Sequence, residues 1–248
     1  MYKSKVLVGL VLLVYVLFTV FEFNGSESLA FNLDYLITPL IALIYMFFAK
    51  RKNIFFTLFI LCYSVSDLMG IIIKYLPQNE IVNLYDIDYY VGNGLFILAY
   101  LFLVIKISKS LSLYYVLRHF KIHLVVLTIL NIYLVYVLQI ILVPDIGIEV
   151  ENGEYYLEMI YNIVMLLLLS AALLNYFYRD NKKSLYLFIG SLCIVFSEVM
   201  QVAYFHIAQR SLLNFISTTL TLVAFYFFYQ QSRLLNELNK EEKYMVME

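Results

Sequence analysis

An aspartate and a glutamate lie inside two strongly apolar stretches of the chain. Asp67 sits in Leu61-Cys62-Tyr63-Ser64-Val65-Ser66-Asp67-Leu68-Met69, and Glu198 in Leu192-Cys193-Ile194-Val195-Phe196-Ser197-Glu198-Val199-Met200. The two segments repeat Leu, Cys, Ser, acid, aliphatic and Met in one register, 131 residues apart. A carboxyl at mid-membrane depth costs a few kcal/mol or more to insert, so such groups normally face a bundle interior or a wet cavity, where they serve function. In one cavity, burial and mutual repulsion would divide the pair into a neutral acid and a carboxylate, an arrangement suited to general acid and base work. The structural alternative is an acid hydrogen-bonded to a neighbouring Tyr, Asn or Ser, with no chemistry. Two acids at matched depth favour function.

Transmembrane helices must position these groups. The 248 residues are 63% hydrophobic and 14% charged, with a mean hydropathy of +0.84. A soluble domain has roughly a quarter of its residues charged, so this is an integral membrane protein. A net charge of −1 gives no electrostatic case for nucleic acid. The only cysteines, Cys62 and Cys193, lie within apolar runs, which argues against a disulfide framework or a zinc cage. No cofactor or metal is expected. Apolar runs fall at about 6–21, 34–49, 54–75, 89–105, 124–143, 156–178, 185–207 and 212–229. At roughly 20 residues per crossing, these make eight spans in an all-α polytopic protein. The expectation is one domain, residues 1–231, followed by a polar cytoplasmic tail, 232–248.

The first run also resembles a signal peptide, since Ser28-Leu29-Ala30 could serve as a cleavage site; an uncleaved helix is the preferred reading. The second run is broken near its start by Thr38-Pro39 and should begin a little before Asp34. The linker from Lys106 to His123 is basic, alternates apolar with polar residues and suits the membrane surface. Glu149, Glu151 and Glu154 form an acidic loop before the sixth run. Placing the N-terminus, Lys50-Arg51-Lys52, the 106–121 linker, the 179–183 cluster and the tail on one side collects 15 of the 17 Lys and Arg residues, leaving only Lys74 and Arg210 opposite. The positive-inside tendency then makes both termini cytoplasmic. The expected location is a bacterial cytoplasmic (inner) membrane, with most loop acids between Glu22 and Glu158 outside. Spans three and seven run the same way, so a four-plus-four parallel duplication would relate Asp67 to Glu198. Each acid lies 13 residues into its run, ~20 Å from the cytoplasmic end at ~1.5 Å per residue.

Other polar residues within the runs have ordinary roles available. Asn93, Asn131, Gln139, Asn162, Asn175 and Gln201 suit interhelical hydrogen bonding. Gln201, one turn beyond Glu198, is the best placed to touch a substrate. His206 suits the interface, Ser66 and Ser197 suit close helix packing, and the Tyr clusters are mainly interfacial belts. Gly92-Asn93-Gly94 lacks the spacing of a phosphate loop. The candidate site comprises Asp67 and Glu198 as catalytic groups, with Ser64, Asn93, Tyr100, Ser197 and Gln201 binding substrate.

At these residues the chain resembles the YhhN-like lysoplasmalogenase family of eight-helix membrane proteins. The resemblance rests on Pro39-Leu40, Ser64 with Asp67, Gly92 with Phe96, then Gly190, Ser197 and Glu198, and finally Gln230, in order across roughly two thirds of the chain. Each motif alone is short. The family pattern has Lys where Thr38 stands, Gly at Ser66, His at Tyr100 and Asp at Glu198. The resemblance implies hydrolysis of the vinyl ether bond of a lysoplasmalogen, a lysophospholipid drawn from the surrounding membrane lipids, to a fatty aldehyde and a glycerophospho head group. Two other readings stand beside it. One is a non-catalytic lipid-binding or proton-coupled transport protein, and the other is a structural membrane subunit.

Overall fold

The computed structural model describes residues 2–49, 52–77, 84–146 and 153–234, and the regular structure among them is entirely helical. Hydrocarbon offers the backbone no hydrogen bonds, so each crossing must satisfy its own amides within a helix. Eight helices are long and apolar enough to span: α1 (Tyr2–Phe23), α2 (Glu27–Phe48), α3 (Ile54–Tyr75), α5 (Asn93–Ser108) with the π-helical turn Asp88–Gly92 ahead of it, α7 (Lys121–Ile146), α8 (Gly153–Arg179), α9 (Lys182–His206) and α10 (Ser211–Arg233). Two short helices, α4 (Leu84–Ile87) and α6 (Leu113–His119), lie between spans.

Local sequence sets the helix ends. Asn53 caps α3, its Oδ1 accepting from the amides of Phe55 at 3.1 Å and Phe56 at 3.3 Å. Asn181 and Ser184 cap α9 reciprocally, each side chain bonded to the other's backbone amide. Between α8 and α9, Asp180 takes a left-handed conformation (φ 43°), tolerable for an Asp at a helix end.

Several boundaries differ from those read in the sequence. α2 continues through Thr38-Pro39 without a break and starts at Glu27, which brings Asp34 inside the span. Pro39 removes one amide donor, yet Ile37, Thr38 and Pro39 are all buried within an unbroken helix. Lys106 belongs to the last turn of α5, and Glu154 belongs to α8 instead of a loop. Glu149, Glu151 and all of the tail beyond residue 234 lie outside the described residues. Within the former linker, α6 buries Val116 and exposes Tyr114 and Leu117, as a surface helix facing lipid would.

Packing follows chain order. α1, α2, α3, α5, α8, α9 and α10 each touch the next, and α10 returns to α1 and α2, closing a ring. α7 lies outside that ring, mainly against α8, and Asn131 reaches Ser170 at 2.9 Å across their contact. The first helix is an integral member, with Val11, Val14 and Phe18 buried. The neighbour pattern recurs with a four-span shift. Contacts α1–α2, α2–α3 and α3–α5 match α7–α8, α8–α9 and α9–α10, and the cross-half contact α5–α8 matches α10–α2. The ring's centre is aromatic. Phe59 stacks on Phe225 with centroids 5.7 Å apart, and Phe228 meets Phe56 and Phe59 edge-on. α9 approaches α10 closely at Gly190, where a Cβ would stand 2.6 Å from the Phe228 ring.

Candidate functional site

Helical spacing assembles a polar cavity of about 190 Å³ inside this apolar ring. On α2, Asp34 and Thr38 are four residues apart and share a face; so do Tyr63 and Asp67 on α3. Glu158 and Tyr161 on α8, and Glu198 and Gln201 on α9, are spaced three apart. All eight line the cavity, together with Asn93, which follows the π-helical turn. Such turns occur often at functional sites. Here the Ser66 hydroxyl donates to the Gly92 carbonyl at 3.0 Å, tying the turn to α3. Gly70 leaves room on α3 for the Tyr35 ring, which forms part of the wall; a Cβ there would lie 2.9 Å from it.

Glu198 is held by three tyrosines from three helices. Tyr161 donates to Oε2 at 2.8 Å, while Tyr63 donates to Oε1 at 3.3 Å and Tyr100 donates to the same oxygen. A carboxylate only accepts hydrogen bonds, so three hydroxyl donors match it directly. Asp67 has different company. It is 6% exposed, interacts with the Thr38 hydroxyl and lies within electrostatic reach of Asp34 and, less strongly, Glu198. Asp34 accepts from Thr218 at 2.9 Å, and Glu158 from Tyr89 at 2.8 Å. His206 lines the same cavity near Glu158.

Of the seven residues singled out in the sequence, Asp67, Glu198, Asn93 and Gln201 line the cavity. Tyr100 stands behind Glu198 as a donor. Ser64 is buried without lining the cavity, and Ser197 is bonded to α10, its hydroxyl 2.8 Å from the Ser217 carbonyl and 2.6 Å from Thr221 Oγ1. Sequence reasoning missed Asp34, Glu158, Tyr63 and Tyr161. The repeated three- and four-residue spacing of polar groups within apolar runs was the signal that could have found them. Thr38 and Tyr100 stand beside Asp67 and Glu198 respectively.

A second cavity, about 380 Å³, shares Asp34, Tyr35, Gln201 and Phe205 with the first and continues past Glu22 and Glu27 toward the α1–α2 and α9–α10 connections. The carboxyl site is therefore approached from the bundle end opposite the Lys and Arg clusters. No group of three or more His, Cys, Asp or Glu side chains is arranged to hold a metal among the described residues.

The fold and its cavity define an all-α polytopic membrane protein with a carboxyl-lined interior site. No protein-family model, curated protein or solved structure matches the chain.

Proposed function

We propose that the protein is a membrane-embedded lipid hydrolase of the lysoplasmalogenase type, using Asp67 and Glu198 as its acid and base. The observation that carries the reading is the convergence of these two carboxyls, from α3 and α9, on one cavity with contrasting surroundings. A vinyl ether is cleaved by protonation of its β-carbon. This converts the C=C–O unit to an oxocarbenium ion, water adds to the α-carbon, and the hemiacetal collapses to aldehyde and alcohol. Asp67, with a second carboxyl nearby, delivers the proton to carbon. Glu198, fixed as an acceptor by its tyrosines, steadies the cation and takes a proton from the attacking water; on collapse it gives that proton to the departing glycerol oxygen while the hemiacetal hydroxyl returns its proton to Asp67, restoring both groups. Both positioned groups remain fixed on helices while charge develops. Asn93 and Gln201 supply amide contacts to the substrate. In this reading both termini are cytoplasmic, and the cavity opens to the outer half of a bacterial inner membrane.

One observation favours a second reading. Asp34 and Glu158 join the pair, so four carboxyls line one cavity, two of them bonded to the hydroxyls of Thr218 and Tyr89. Intramembrane carboxyl chains also serve as proton relays in transporters. Aldehyde release separates the two. The purified protein is supplied with lysoplasmenyl-ethanolamine or -choline beside folded Asp67→Asn and Glu198→Gln variants. The hydrolase reading expects aldehyde from the parent and its loss in both variants. No aldehyde from either head group across pH, with lipid still bound, refutes it in favour of binding or transport.

A further inference from the structure

The opposite end of the bundle holds another cavity of about 500 Å³, and its character is reversed. Lys52, Lys106, Arg179 and Lys183 line it, and no acidic residue is among its described lining residues. Helix rise separates it from the carboxyl site. Lys106 is 13 residues from Asn93 along α5, and Lys183 is 15 from Glu198 along α9, or ~20 Å in each case at 1.5 Å per residue.

Lys106 and Arg179 are held by neutral partners. Lys106 Nζ donates to Gln231 Oε1 at 3.0 Å and lies 5.0 Å over the Phe56 ring. Arg179 donates through Nε at 3.2 Å and Nη2 at 2.8 Å to the Ser110 carbonyl, and Lys183 donates to the Leu234 carbonyl at 2.9 Å. Amides and carbonyls orient a cation without neutralising it, and charges withdrawn from water are normally paired with charge. The N-termini of α3 and α9 open onto the same space through Asn53 and Asn181, adding their partial positive charge. Converging cations, two helix N-termini and no acid among the described lining residues are the surroundings of a multiply charged oxyanion.

We propose that this cavity binds a phosphate group, carried by an anionic lipid head group or by a soluble phosphate ester. Basic pockets between spans on the cytoplasmic side recognise lipid phosphates in this way, and this end carries the Lys and Arg clusters. Arg179 and the lysines contact phosphate oxygens, while Gln231 holds Lys106 and Asn175 holds Ser110, whose carbonyl accepts from Arg179. The site is separate from the carboxyl cavity, so it stands whether or not the hydrolase reading holds.

The full chain in a neutral detergent is titrated with phosphatidylglycerol or phosphatidylcholine, with binding read by native mass spectrometry, and with inorganic phosphate, read by thermal shift. Phosphatidylglycerol is expected to bind at least about fivefold more tightly than phosphatidylcholine, and Lys106→Met to lose about fivefold or more. Lys106→Arg retains binding. Lys109→Ala, which removes a lysine lying over Phe55 outside the cavity, leaves it unchanged. Phosphatidylglycerol binding without any effect of inorganic phosphate identifies a lipid ligand; stabilisation by phosphate that also displaces the lipid identifies a soluble ester. Equal binding of the two lipids with no response to phosphate overturns the proposal, even if Lys106→Met fails to fold. An equal loss from Lys109→Ala also overturns it, because binding would then follow surface charge alone.

Discussion

Gly190→Ala tests the helix contact that fixes Glu198 relative to α10. The new methyl carbon would stand 2.6 Å from Cδ1 and Cε1 of Phe228 and 3.2 Å from its Cζ. Carbon atoms pack favourably at about 3.5–4.0 Å, so the overlap approaches ~1 Å. Phe228 has no exposed surface, and the rings of Phe56, Phe59 and Phe225 surround it at centroid distances of 6.0, 5.6 and 6.3 Å. It has no free space to enter, so the cost falls toward the upper end of overpacking, about 3 kcal/mol. Alanine's better helix propensity returns about 1 kcal/mol, leaving a net loss of about 2 kcal/mol. The assay is reversible unfolding in mixed micelles, with Phe228→Leu and the double variant measured alongside. Because leucine vacates the space the ring occupied, the double variant should recover at least ~1 kcal/mol relative to the sum of the single changes. A Gly190→Ala variant as stable as the parent, or strictly additive behaviour, would refute the close approach of α9 to α10.

Tyr161→Phe should destabilise the protein by about 1.5–3 kcal/mol, because it leaves a half-buried carboxyl oxygen short of its 2.8 Å donor. Tyr63→Phe should cost less, since its hydroxyl is 3.3 Å away and shares its oxygen with Tyr100; the same unfolding assay ranks the two. Asn53→Ala removes the cap from α3 and should cost about 1 kcal/mol, seen as a lower unfolding midpoint with aldehyde release unchanged.

The eight spans and the depth of the two acids were legible because hydropathy and helix rise act over many residues. Asp34 was misplaced at the edge of a run, since a window average falls wherever a charge approaches a helix end. Yet Thr38, one turn on, marked a polar face. Glu154 was assigned to a loop for the same reason, and Lys106 to a linker, although its ammonium lies over Phe56 at the end of α5. The tyrosines were harder. Tyr63, Tyr100 and Tyr161 look no different in sequence from exposed Tyr75, Tyr133 or Tyr226, and only the arrangement of α3, α5 and α8 around α9 turns them toward Glu198. The α1–α10 contact that closes the ring is equally nonlocal, linked by side chains such as Tyr15 and Thr219, whose hydroxyls are 2.7 Å apart.

Proton delivery to carbon is the central chemical claim, and hydrolysis of lysoplasmenyl-choline in D₂O tests it most directly. The released aldehyde is trapped at once and analysed by mass spectrometry. The account predicts one deuterium on the carbon next to the aldehyde, with release abolished in folded Asp67→Asn and Glu198→Gln. Aldehyde without deuterium at that carbon, or undiminished release from Asp67→Asn, would contradict it.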